Sequence, residues 1–406
     1  MDLFLIGPTI TPLPKCPQYN PSVISTYIHS VLEEWNRKDA YGILAAISEE
    51  EGSVPTLIFG LPPPAITDYV FKQTPYNLPV FLNDDWIVYA SRFNSCWDME
   101  PVRGGGRLCL DHISVGAQGD LATAGSFGGF LRSTVSVQDV FGITASHCVP
   151  GAPLATTICS PSSLEVTSRF DRILKCTTLC PVNSVDRQPV RRGKEAELRS
   201  ILDRFHFHET ATGSSFYRPV PPFDHLTGTF SGNPIGHIVM QRLEHRPNLL
   251  EQYDRWLVQL PGPPRATFDA DSAWESRLDF CIFSCHPESY GGNIFDEEDV
   301  NEIGALYPEA LVEKVGRTTR NREGQVNGYS AQCWHESGET HEIAVMSTQK
   351  ARVFAEGGDS GGCVFVKENG QYKAGGILIG KNQKTGFALV TPLAMILESA
   401  PGYKWA

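Results

Sequence analysis

Apolar residues at Val23, Ile24, Tyr27, Ile28, Val31, Leu32 and Trp35 recur at offsets of three and four. That spacing predicts an amphipathic helix within residues 21 to about 46. Residues 1–20 are rich in proline and predict an extended arm. Short apolar runs broken by Pro62-Pro63-Pro64 predict strands at 56–61 and 86–89, and Gly104-Gly105-Gly106 reads as a linker or turn. Residues 112–117 alternate as a half-buried strand does. A helix is predicted over 193–205, with Leu198, Ile201, Leu202 and Phe205 on its apolar face and Pro189 limiting its start. Residues 234–239 return to a strand, 249–260 read as a helix, and 393–398 as a terminal helix. Many short strands separated by Gly and Pro turns, with little helix, predict a mostly β fold of paired antiparallel barrels.

The 406 residues are enough for two or three domains with a large core. A net charge of −12 argues against a nucleic-acid partner, because phosphate binding needs clustered Lys and Arg. Arg187, Arg191, Arg192 and Lys194 do cluster, but Glu195 and Glu197 follow at once, as on a solvated surface. No run of about 18 apolar residues predicts a membrane span. The first residues lack the basic leader of a signal peptide. Eleven cysteines is an odd number, and together these features predict reduced thiols in a cytoplasmic or nuclear protein. Cys176 with Cys180, and Cys281 with Cys285 and His286, have offsets that a metal site could use. Zinc needs four converging ligands, and Cys281 falls inside a core strand, so no metal and no cofactor are expected. His206 and His208 read as a polar edge.

The densest chemical signal is Gly357-Gly358-Asp359-Ser360-Gly361-Gly362. Glycines on both sides of one serine let neighbouring N–H groups turn toward the point where an oxyanion would form. Alone, the run could be a turn-rich loop. Two further segments change that. Phe141-Gly142-Ile143-Thr144-Ala145-Ser146-His147-Cys148 is an apolar strand ending in a histidine, and Arg277-Leu278-Asp279-Phe280-Cys281-Ile282-Phe283 is a β-prone run opened by an aspartate.

These three segments resemble the motifs of chymotrypsin-like serine proteases, in the order His147, Asp279, Ser360 that this family uses and subtilisins and α/β-hydrolases do not. Lys314-Val315-Gly316-Arg317-Thr318-Thr319, Gly324-Gln325-Val326 and Ala374-Gly375-Gly376-Ile377-Leu378-Ile379-Gly380 are similar to segments of the fungal intracellular trypsin-like type. The likeness spans about 105–150 and 275–400.

The resemblance implies a double antiparallel β-barrel of chymotrypsin type. Residues 1–103, outside the likeness, would be an N-terminal extension or cap, open to a regulatory role. Residues 104–300 would form the first barrel with an insertion at about 151–274, and 301–406 the second barrel with the nucleophile. It implies a serine endopeptidase acting on protein or peptide substrates. His147 would be the base, Asp279 its orienting partner, Ser360 the nucleophile, and the N–H groups of Gly358 and Ser360 the oxyanion hole. Phe354, Gly376, Ile379 and Lys381 would border the substrate pocket. In trypsin-like zymogens the aspartate matching Asp359 pairs with a newly freed amino terminus, but no suitable cleavage pattern precedes His147, and Arg103 before three glycines departs from it. A constitutively assembled site, or control by residues 1–100, is therefore expected. A silent peptide-binding module and a self-processing regulator are the alternative functions.

Overall fold

The computed structural model describes residues 9–49, 52–63, 69–89, 114–160 save 121 and 137, 162–165, 223–224, 229–230, 234–336, 338–349, 352–384 and 387–406. The predicted helix at 193–205, the histidines at 206 and 208, Arg103, the glycines at 104–106 and the cysteine pair 176 and 180 lie outside these residues.

The chain is mostly β, as expected. Six antiparallel strands close on themselves. Arg320–Val326 pairs Leu311–Gly316, which pairs Cys363–Glu368. The order continues through Gln371–Asn382, Ala388–Pro392 and Gly338–Ser347, which returns to Arg320–Val326. Closure leaves no free edge among these six and lets Val312, Val326, Ile343, Val364 and Val390 point into one core. A second sheet runs in the order Tyr403–Trp405, Gly129–Ser133, Val140–Thr144, Glu275–Ser284, Pro234–Pro247, Thr157–Cys159, Ser114–Ala117, Gly125–Ser126. Its last strand lies two residues before its second in the chain, so Phe127 and Gly128 join the sheet's two ends.

Part of the stretch expected as an insertion belongs to this sheet. Pro234–Pro247 pairs along nearly its whole length with Glu275–Ser284, and Leu249–Gln259 is the helix of the connection between them. The strand is eight residues longer than its apolar start suggests, because polar residues such as Gln241, Glu244 and His245 carry on the ladder on an edge that is only half covered.

The N-terminal segment builds outward from the closed barrel. Ala331–His335 pairs Tyr41–Glu49, which pairs Gly52–Gly60, and Val80–Asn83 adds in parallel. The predicted helix is Pro21–Trp35 and stops short of the expected end near residue 46. Asn36 turns left-handed there (φ 45°), and residues 41–49 form a strand that is buried on both faces through 41–46, where its near-continuous apolar run has no helical period. Asn20 caps the helix start, its side chain accepting from the N–H groups of Ser22 and Val23. The buried face Ile24, Ile28, Val31, Leu32 and Trp35 packs on Leu44, Leu57 and Phe59. A side chain at Gly42 would strike Ile28, so that glycine sets how closely helix and sheet approach.

Candidate active site

The loop before Cys363–Glu368 needs its glycines. Gly358 and Gly361 have φ of 96° and 88°. A Cβ on Gly361 would sit 2.1 Å from Thr144 Oγ1 and 2.6 Å from the Ser126 carbonyl. Only a bare backbone fits that crossing between the two sheets. Among the described residues, the Gly358 and Ser360 amide N–H groups make no hydrogen bond.

Beneath this loop Asp359 is fully buried, and every neighbour favours its charge. Lys314 Nζ, equally buried, lies 2.7 Å from Oδ2. The Thr319 hydroxyl donates to the same oxygen at 2.6 Å, and the Thr318, Thr319 and Glu356 amides donate at 2.7, 3.1 and 3.0 Å. Burial alone would raise the Asp359 carboxyl, but Lys314 and these donors hold it below its ordinary value. Burial lowers the Lys314 ammonium despite the pull of Asp359. The partner that Asp359 needs is thus a lysine inside the chain. A lysine among the apolar residues of Leu311–Gly316 was the sequence signal for it.

On the other sheet, Val140–Thr144 ends in a tight turn, Ser146–Cys148. The Gln241 amide pins this turn, donating to Ser146 Oγ at 2.8 Å and to the Ser146 and Val149 carbonyls at 3.2 Å. His147 Nδ1 lies 2.7 Å from Asp279 Oδ2, and the His147 backbone N–H donates to Oδ1 at 3.2 Å. Asp279 is fully buried within Glu275–Ser284, and Arg277 Nε donates to Oδ2 at 3.1 Å. Burial alone would raise Asp279, but His147 and then Arg277 keep it low. Burial alone would lower the His147 imidazole, but Asp279 foremost holds it above its ordinary value. His147 Nε2 is buried and has no hydrogen-bond partner among the described residues.

Ser126 ties the two halves. Its N–H donates to the Ser360 carbonyl at 2.7 Å, its hydroxyl to the Gly358 carbonyl at 2.9 Å, and its oxygen accepts from the Arg317 N–H at 2.9 Å. Cys148, next to His147, lies with Sγ 3.4 Å from the Ser360 carbonyl. Ser360 Oγ itself donates, at 3.5 Å, to the Tyr89 carbonyl. Tyr89 follows a short strand, Ile87–Val88, paired antiparallel with Lys381 and Asn382. Buried Asp85 anchors that strand by accepting from the Asn382 side chain at 2.8 Å and the Lys384 N–H at 2.8 Å. Sequence reasoning missed Ser126, Lys314 and Tyr89, which act through long-range contact, and Arg277, which meets Asp279 two residues on.

Of the four pocket candidates, Phe354 is fully buried against Gly324 within the closed barrel. Gly376 faces Pro392 across the ladder. Ile379 is buried in the cluster that also holds Ile87 and Tyr89. Lys381 Nζ pairs with Glu356 at 2.5 Å.

Residues 290–401, which include the closed barrel and the loop of Ser360, match the model of peptidase family S64. With this fold, the match makes that stretch of the chain similar to chymotrypsin-like serine peptidases. The chain matches no curated protein. Among solved structures it is similar to a glutamic acid specific serine protease described as using a histidine triad in substrate binding. That likeness has 14% identity over 74% of this chain and 99% of that one, with a TM-score of 0.34. It is also similar to Thermobifida fusca Protease A (13% identity, 73% and 98% covered, TM-score 0.34). A third is Nocardiopsis Protease (12% identity, 72% and 96% covered, TM-score 0.34). Each likeness is distant.

Proposed function

We propose that the chain is an endopeptidase in which Ser360 attacks a substrate carbonyl while His147 Nε2 takes the hydroxyl proton. The resulting acyl-enzyme forms as His147 passes that proton to the departing amine, and water then repeats the cycle in reverse. Asp279 keeps the Nδ1 proton in place, which leaves the Nε2 lone pair free to accept the serine proton. The Gly358 and Ser360 N–H groups would receive the developing oxyanion, each worth roughly 3–4 kcal/mol by analogy with other hydrolases. The observation that carries this reading is the buried 2.7 Å pair between His147 Nδ1 and Asp279, with the opposite imidazole nitrogen unpartnered. In a resting enzyme the serine–histidine bond is commonly long and tightens only with substrate.

The substrates we infer are proteins or peptides cut at few sites inside the cell, in the cytoplasm or nucleus. No helix among the described residues is long and apolar enough to cross a membrane. A fluorophosphonate probe should label the wild type and not Ser360→Ala. Folded wild-type protein that stays unlabelled would instead support a silent peptide-binding module.

A second reading has its own observation. The Tyr89 carbonyl lies against Ser360 Oγ at the end of a strand laid antiparallel on Lys381 and Asn382, which is how a substrate strand would lie. This favours a self-processing regulator whose N-terminal segment is cut once and stays bound. Intact mass of the purified chain should then give two fragments with a boundary just after Tyr89, and a single mass in Ser360→Ala. A single mass in both would remove this reading.

A further inference from the structure

Tyr89 does more than lie in the cleft, because its side chain fills a site made for it. The ring is buried and belongs to the cluster of Ile87, Cys333, Ile379 and Leu389. The Arg277 guanidinium lies over its face, with Cζ 4.0 Å from the centroid. The phenol oxygen is 3.2 Å from His335 Nε2, and Thr340 Oγ1 is 2.9 Å from the same nitrogen. Gly380 lies against the ring too, where any Cβ would come within 3.0 and 3.2 Å of the ring carbons. Burial, then the charges of Arg277 and His245, lowers His335 to about 3. The imidazole is therefore neutral, and its Nε2 can share a hydrogen bond with a phenol in the role its tautomer sets.

We propose that Arg277, His335 and Gly380 form a tyrosine-reading subsite beside the nucleophile, occupied in the resting chain by Tyr89 and in catalysis by a tyrosine of the substrate strand. The inference rests on the peptidase reading for its substrate, but not for its binding. A flat ring fits against Gly380 and a cation, where a branched side chain has neither the shape nor the π-face. The buried histidine nitrogen then separates tyrosine from phenylalanine, since an apolar ring edge leaves this buried polar contact unmade. Arg277 also holds Asp279, so subsite and catalytic pair share one guanidinium.

Binding is tested without hydrolysis, in a full chain carrying Ser360→Ala and Tyr89→Ala. Fluorescent acetyl-Trp-Ile-Val-Tyr amide, the sequence of residues 86–89, should bind about three- to tenfold tighter than its phenylalanine counterpart, a ratio typical of one neutral hydrogen bond. The alanine counterpart should bind more than tenfold weaker than either. Adding His335→Ala should bring the tyrosine and phenylalanine peptides level. Equal binding of tyrosine and phenylalanine peptides before that change overturns the proposal.

If the tethered strand keeps every peptide out, hydrogen exchange in Ser360→Ala decides. Tyr89→Phe should speed exchange at Val88 and Lys381 about three- to tenfold, and do nothing further once His335→Ala is present. Additive effects overturn the subsite. A chain that shows the tyrosine preference yet never cleaves a peptide fails as a peptidase and keeps the subsite, so the two outcomes stay distinct.

Discussion

Two buried aspartates, Asp359 under the nucleophile loop and Asp279 behind the histidine, look alike in a list of contacts and differ in what they leave open. Each is fully buried, held below its ordinary value, and paired to a cation-forming side chain at 2.7 Å. Around Asp359 the partner's charge ends there: Lys314 is itself buried and donates to Asp359 and to the Thr319 hydroxyl. Around Asp279 the partner is an imidazole with a second nitrogen that nothing occupies. The first aspartate fixes a backbone shape, and the second leaves an imidazole nitrogen open. The proposed chemistry would need both: a rigid donor loop for the oxyanion and a base free to accept.

Breaking the Asp279 side should destroy chemistry and spare the fold. In Asp279→Asn the side chain keeps its size, but its NH2 group can turn toward Nδ1 and move the imidazole proton to Nε2. That tautomer cannot accept from Ser360. We expect kcat to fall about 10⁴-fold by analogy with other enzymes using this constellation. The thermal midpoint should change far less than in the lysine variant below. Steady-state hydrolysis beside a melting curve checks both halves, and a collapsed melting curve with it would erase the contrast drawn here.

Breaking the Asp359 side should do the opposite. Lys314→Met removes the cation and strands a buried carboxylate among four remaining donors. Truncating one member of a buried pair costs about 3–5 kcal/mol. Urea denaturation should show a loss of that order, with activity falling only as folded protein is lost. A stable Lys314→Met would mean that the amides and Thr319 suffice.

The pH dependence separates the two again. Asp279 and Asp359 are depressed in the folded chain, so their stabilisation is present above the unfolded value of about 3.9 and is lost as pH falls through the folded values. His147 is raised, so its share of stability is complete below about 6.5 and is lost as pH climbs through the folded value. Activity has the opposite sign, since a protonated His147 cannot accept the serine proton. The acid limb of kcat/KM should therefore have its midpoint above about 6.5 and should vanish from any residual rate in His147→Ala. A midpoint at or below 6.5 would show that Asp279 does not raise the base.

How much of this was legible beforehand follows from distance along the chain. The strand into His147, the strand of Asp279 and the glycines around Ser360 carry their signals within a few residues, and His147 Nδ1 lies 2.7 Å from Asp279 Oδ2. The helix Pro21–Trp35 was legible from its period, but its end at Asn36 was not, because the apolar run of the next strand continues past it. Lys314 stands out locally as a lysine in an apolar strand, but it meets Asp359 across 45 positions and Tyr89 meets Ser360 across 271, so no local pattern could announce either pairing. The same holds for Ser126, an ordinary serine after an ordinary glycine until two sheets close around it.

The smallest expected effect sharpens the comparison most finely. Thr319→Val keeps the shape of the side chain and removes one donor from Asp359, leaving Lys314 and three amides in place. One hydrogen bond to a charged group contributes roughly 1.5–3 kcal/mol, and the surviving donors should absorb part of that, so the loss should be nearer 1 kcal/mol. The oxyanion loop should hold its shape, and kcat should stay within about twofold, since no group that touches substrate has moved. The Asp279 side has no such reserve, because only Nδ1 of His147 can set the tautomer. Should Thr319→Val cut kcat tenfold with stability intact, the Asp359 network would be tuned to the reaction and not merely built to hold a loop.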